Sequence, residues 1–338
     1  MKRAIALLFL TLLTTVGFLA AQDQAPNTVP LKQEEIVKLL KGDVTPARVA
    51  ELVTQRGVDF ELNPDIEKKL RKAHADDQLI ETVKNQGPAA RAERAKAGNG
   101  PMYTAEESQE YQTIRNELDP NRAIQMVSDF ETKHPQSQLL TWVYVFAANA
   151  YRQKSDAEHA VEYGEKSLAL KPDNLLALLT VVPLLPQSQM LRGSEMEKEK
   201  RLNQAESYAK QALDLIAALP QQPNESEEQF NQRKNTLTAD PHSALGMVHL
   251  QRSQMSLQGV DMEEVAKAVT EYQQAVSVTA QPDPRDYFRL GEAFALEKKY
   301  DDSIQAFTRA GDLAQGTIIK TYADQKIEEV KKRMAAPH

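Results

Sequence analysis

The chain has 338 residues, 41 Lys and Arg against 48 Asp and Glu, and no cysteine. That length supports two domains and a sizeable helical core. The acidic balance argues against a phosphate-binding groove for nucleic acid, and the absence of thiols excludes a disulfide framework and a cysteine nucleophile.

At the N-terminus, Lys2 and Arg3 precede an apolar run over 4–20, and Ala20 and Ala21 lead into the polar Gln22, Asp23 and Gln24. A basic start, an apolar core and a small-residue exit read as a secretory signal peptide over 1–21, cut after Ala21. The expectation is an exported chain, periplasmic or secreted. The run is marginal beside the roughly 20 apolar residues of a spanning helix, so a membrane is expected as a partner only if the segment stays uncleaved. Lipid attachment at a new N-terminal cysteine is excluded. Cleavage leaves 39 basic against 48 acidic residues, a formal charge of −9.

Residues 31–85 carry clear helix punctuation. Gln33 to Leu40 gives a short amphipathic helix closed near Gly42. Thr45 reads as an N-cap with Pro46 at the first helical position, leading through Val49, Leu52 and Val53 to Gly57. Asn63 and Pro64 repeat the device before Ile66, Leu70 and Ala73, and Asp76 opens a helix through Leu79, Ile80 and Val83 that ends at Gly87. This string resembles a small helical module that recurs in exported bacterial proteins. Short-turn helix pairs also occur in DNA-binding units, but Lys68, Lys69, Arg71 and Lys72 lie among Glu67, Asp76 and Asp77, which describes a solvated face. Residues 86–103 then read as a flexible linker, bounded by Gly87-Pro88 and Gly98-Asn99-Gly100-Pro101 around a charged, apolar-poor run.

From 104 onward the pattern repeats. Between 141 and 174, Tyr144, Ala147, Ala148, Tyr151, Ala160, Gly164, Ser167 and Pro172 occupy positions 4, 7, 8, 11, 20, 24, 27 and 32 of a 34-residue unit. Small residues at 8, 20 and 27 let two antiparallel helices approach closely, and Pro172 stops the second. The unit at 104–137 places Tyr111, Ala123, Val127, Phe130 and Pro135 in the same frame, and the unit at 284–316 places Tyr287, Leu290, Gly291, Phe294, Tyr300, Ser303, Phe307 and Ala310. Two units are stretched by about ten residues relative to the repeat period. One begins with Leu178, Val181, Val182 and Leu185 and resumes at Ala205, Tyr208, Ala209 and Ala212. The other begins with Leu245 and Gly246 and resumes at Ala268, Tyr272 and Ala275. Over 104–316 the sequence resembles the tetratricopeptide-repeat (TPR) family, with about five repeats. The fold class implied is all-α, a helical-repeat solenoid preceded by a small helical domain. Residues 317–334 read as a terminal capping helix, with Ile318, Ile319, Tyr322, Ile327 and Val330 on its stripe and Lys331, Lys332 and Arg333 in its last turn.

No catalytic constellation emerges. The six histidines show no three- or four-residue helical spacing that would aim two imidazoles at one metal. His242 and His249 share a face two turns apart on a helix that Pro241 is expected to start, with no acid between them. No enzyme activity, cofactor or metal is therefore expected. The resemblance implies protein or peptide recognition, with first-helix positions 2, 5, 9, 12 and 13 facing a concave groove. In the repeat at 141–174 these are Trp142, Val145, Asn149, Arg152 and Gln153. In the last repeat Arg285 and Phe288 take positions 2 and 5, with Arg289 at position 6. A tryptophan and Arg forks on a groove wall would anchor a peptide or carboxylate. Alternatively, Trp142 packs under the preceding repeat and the arginines pair with Asp286 and Glu292. The carboxylate clamp of chaperone-binding TPR proteins is not carried over, because Val145 stands where its first Lys would be. The function expected is an exported non-catalytic scaffold; the alternative is a structural or assembly subunit of a cell-envelope complex.

Overall fold

The computed structural model describes residues 30–42, 44–90, 103–222, 225–255 and 259–335. The expected signal peptide and most of the expected linker, 91–102, lie outside the described residues. The chain divides into two compact units, 1–154 and 155–338.

The first unit opens with four short helices, α1 (Gln33–Lys41), α2 (Pro46–Arg56), α3 (Pro64–Lys72) and α4 (Asp77–Asn85). Their starts follow from local chemistry. Thr45 Oγ1 accepts from Arg48 N, Asn63 Oδ1 accepts from Asp65 N and Ile66 N, and Asp76 Oδ1 accepts from Leu79 N at 2.8 Å. Each bond satisfies backbone donors that the first helical turn leaves orphaned. α2 stops at Gly57, whose φ of +70° suits a residue without a Cβ. Ile36, Val49, Val53, Leu70, Leu79 and Val83 form the buried core. The sequence pattern did not foreshadow the tie that closes this module. Leu31 and Val58 form a parallel β-bridge, with Leu31 N donating to Gly57 O at 2.9 Å and Asp59 N to Leu31 O at 3.2 Å; Val58 N donates to Gln86 O at 3.1 Å.

The same unit continues into α5 (Ala105–Arg115), α6 (Pro120–Lys133) and α7 (Leu140–Gln153). Thr104 and Glu107 cap α5 reciprocally, and Asp119 with Pro120 starts α6. The repeat frame places Tyr111, Ala123, Val127 and Phe130 inside, and all four are buried. α5 packs on both α6 and α7, and α6 packs on α7. The Tyr111 and Phe146 rings lie 5.4 Å apart at this junction, and the Tyr144 hydroxyl donates to Glu131 at 2.8 Å.

The second unit runs through α8 (Ala157–Leu170), α9 (Leu175–Val181), α10 (Glu195–Ala217), α11 (Glu227–Met255), α12 (Met262–Ser277), α13 (Pro284–Leu296), α14 (Tyr300–Leu313) and α15 (Ile318–Ala335). Successive helices pack against one another, and α11–α13 and α13–α15 pack as well. The extra residues of the first stretched unit form an apolar turn segment with a single 3-10 turn, Ser188–Met190, between α9 and α10. Those of the second fall where α11 ends at Met255 and α12 begins at Met262, and 256–258 lie outside the described residues. The expected helix start at Pro241 is overturned: Pro241 lies buried inside a 29-residue helix. It forgoes one backbone hydrogen bond, but the upstream half is fastened from outside the helix, where Arg233 clasps Glu225 through Nε and Nη2 and donates to Pro220 O. The capping stripe is also corrected. Val330 and Ala323 are buried and Ile319 and Ile327 half-buried, whereas Ile318 is 62% and Tyr322 52% exposed.

Candidate functional site

The candidate residues fall on α7 in the first unit and α13 in the second. α7 is apolar over much of its circumference. Val143, Tyr144, Ala147, Ala148 and Ala150 are buried, while Trp142, Asn149 and Arg152 are half-buried and Gln153 is exposed. Val145 departs from the expected groove face: at 3% exposure it is core. The reason is one of spacing, since on a helix this apolar Val lies one turn from Thr141 and Asn149 but beside the buried Tyr144 and Ala148. Asn149 Nδ2 donates to Val145 O at 3.0 Å, leaving its Oδ1 buried and without a hydrogen-bond partner.

α13 starts where Asp283 caps it and Pro284 takes the first helical position. Arg285 is exposed, but its guanidinium forks back onto the cap: Nε lies 2.9 Å and Nη2 2.5 Å from Asp283 Oδ2. Burial pushes the Asp283 carboxyl up, yet the Arg285 hydrogen bonds outweigh this and hold it below the usual range. Phe288 is half-buried, its ring edge-on to Phe307 of α14 at 5.1 Å. Arg289 is 26% exposed and lies 3.7 Å from Asp286, too far for a hydrogen bond. The expected alternative of local pairing thus applies to the two arginines, through Asp283 for Arg285 and Asp286 for Arg289.

Several polar residues escaped the sequence reading. Asp286 sits in the first turn of α13, where a carboxylate ordinarily faces water and the helix dipole; instead it is buried against Ser243 Oγ of α11 at 2.5 Å. Burial and the neighbouring Asp283 push it up to about 7. Tyr272 of α12 is wholly buried with its hydroxyl unpartnered, and burial raises it further above its ordinary value. His242 and His249 find their acids on α12: Nδ1 of each lies 2.7 Å from Glu271 and Glu264 respectively. Both acids are also seven residues apart, so the two pairs close an antiparallel helix hairpin in register. The 29- and 15-residue separations hide such pairs from a local search.

Residues 143–174 match the family model of the tetratricopeptide repeat. No curated protein matches the chain. Among solved structures it is similar to a thermophilic TPR protein of Thermus thermophilus, at 14% identity and TM-score 0.44, covering 66% of this chain and 99% of that one. It is also similar to a MamA double mutant, at 13% identity and TM-score 0.37 over 68% and 98% of the two chains, and to MamA protein, at 16% and 0.33 over 59% and 97%. The described residues thus form an all-α chain of helix pairs with small residues at their close approaches, and 143–174 match a single tetratricopeptide repeat.

Proposed function

We propose that the chain is an exported, non-catalytic scaffold that binds a protein or peptide through the concave, first-helix face of its repeats. The observation that carries this reading is the composition of the α7 and α13 surfaces. Each helix buries a small-residue face and leaves an aromatic ring and a guanidinium half-covered, Trp142 with Arg152 and Phe288 with Arg289. Rings and Arg forks are the side chains that most often dominate binding at interfaces, and a fork matches a carboxylate in geometry. A partner segment with acidic side chains or a free C-terminus fits that chemistry. Export rests on residues 1–21, and nucleic acid is disfavoured by the acidic net charge.

A structural or assembly role is the second reading, favoured by the exposed Ile318 and Tyr322, which lie one turn apart on α15. Alanine at Trp142, Arg152, Arg285 and Arg289 together separates the two. Exposed positions away from polar networks shift stability by about 0.5 kcal/mol or less, whereas an interface anchor costs about 2 kcal/mol or more, and thermal denaturation of the variant separates lost binding from lost fold. The fourfold variant should fold as the parent does and lose a partner that a free peptide displaces from the parent. The parent's single indole should shift to the blue when that partner binds. Undiminished affinity with unchanged emission would discard the groove and favour assembly through another face.

A further inference from the structure

Where α11 meets α13, a carboxyl group is buried with little to support a charge. Asp286 is 5% exposed. Its side chain is hydrogen-bonded to the Ser243 hydroxyl of α11, and the Arg289 guanidinium on its own helix stands off at 3.7 Å. Arg285 is committed to Asp283. The charges that act on Asp286 come from α11 and α13: Asp240 and Asp283 oppose its ionisation, and Arg289 favours it. From α12 comes Tyr272, an unpartnered hydroxyl in the same field as Asp286 and Arg289. Lys326 and Glu329 of α15 act farther along α13, on Glu292.

We propose that Asp286 is a proton-controlled joint between α11 and α13: neutral, it is accommodated in the buried contact beside Ser243; ionised, the cost of burying its charge and the repulsion of Asp240 and Asp283 outweigh the attraction of Ser243 and Arg289 and favour opening of the contact. The proton passes to solvent, and no ligand is needed. Burial first, and Asp283 second, raise the carboxyl to about 7 against the pull of Ser243 and Arg289. The sign follows from linkage. The native state keeps a proton that the unfolded chain releases near the ordinary value of 3.8, so stability falls as pH rises from about 4 to about 7 and levels off above. The joint therefore loosens as pH passes through neutrality. Because α13 also carries Arg289, the same proton sets how firmly that guanidinium is held.

Carbon-13 NMR of the Asp286 carboxyl in the full chain, assigned with Asp286→Asn, should show a midpoint near pH 7. A midpoint near pH 4 overturns the proposal. In urea unfolding, the folding constant of the parent relative to Asp286→Asn should fall about fifty-fold between pH 5 and pH 7, the difference in proton binding between a group at about 7 and one at 3.8; a constant ratio overturns it. Amide exchange reads the joint itself. Corrected protection in α11 and α13 should fall as the parent passes pH 7, and constant protection overturns the link to helix contact. Should Asp286→Asn not fold, Arg289→Gln supplies the same decision, since loss of the favouring cation must raise the midpoint, and an unmoved midpoint overturns the assignment.

Discussion

Two glycines show how closely the repeat frame is specified atom by atom. Gly246 of α11 and Gly291 of α13 both take position 8, and a Cβ on either would lie 2.9 Å from an aromatic ring, that of Tyr272 and Phe307 respectively. Those rings occupy position 24 of the second helices, so glycine at 8 is the complement of an aromatic at 24. Gly164 shows the reverse solution: it takes position 24 itself, and its added Cβ would lie 2.1 Å from Val181 Cγ1. Gly291→Ala would normally favour a helix by close to 1 kcal/mol. Here the new methyl meets the face of a wholly buried ring, and overpacking of this kind costs about 1 to 3 kcal/mol. Thermal denaturation should therefore show Gly291→Ala less stable than the parent, and Phe307→Leu in that background should recover part of the loss. A variant more stable than the parent would mean that the Phe307 ring yields readily.

At the scale of elements, polar clasps complement the small-residue seams. His242–Glu271 and His249–Glu264 fasten α11 to α12, and Arg252 fastens α11 to α10 by reaching Glu199, Glu206 and Asn203. Burial pushes the Glu206 carboxyl up, but Lys210 and Arg252 outweigh it and bring it down to about 2. A depressed folded value contributes stability above the ordinary 4.5 and loses it as pH falls toward about 2. Arg252→Ala leaves these acceptors without their donor, and hydrogen bonds to charged groups contribute about 1.5 to 3 kcal/mol in such settings. Urea unfolding should show a loss of about 2 kcal/mol at pH 7 that shrinks steadily between pH 4.5 and pH 3. A loss independent of pH would indicate that the aliphatic stem of Arg252, not its charge, supports the α10–α11 contact.

For the whole molecule, the proposed processing makes a direct prediction. A chain exported and cut after Ala21 begins at Gln22 with a formal charge of −9, and mass spectrometry of the exported protein should find that terminus. An intact Met1 in a membrane fraction would replace export in soluble form with anchoring. Much of the architecture is legible in the sequence. Thr45, Asn63 and Asp76 mark helix starts because a cap bonds a backbone donor two or three residues away, and Tyr111, Ala148 and Phe307 mark buried seams because helical spacing puts them on one face. What depended on remote neighbours was not legible. Ser243 and Asp286 are separated by 43 residues, Val145 and Ile318 exchange the burial expected of them, and Pro241 sits within a helix secured by Arg233 and Glu225. A cap and the helix start it marks are decided by the chain within about four residues of each position, so the sequence by itself determined most helix starts and the pairing of helices into repeats. Which acid meets which cation, and which carboxyl loses its water, follows from how the helices stack, and only the tertiary structure decided that.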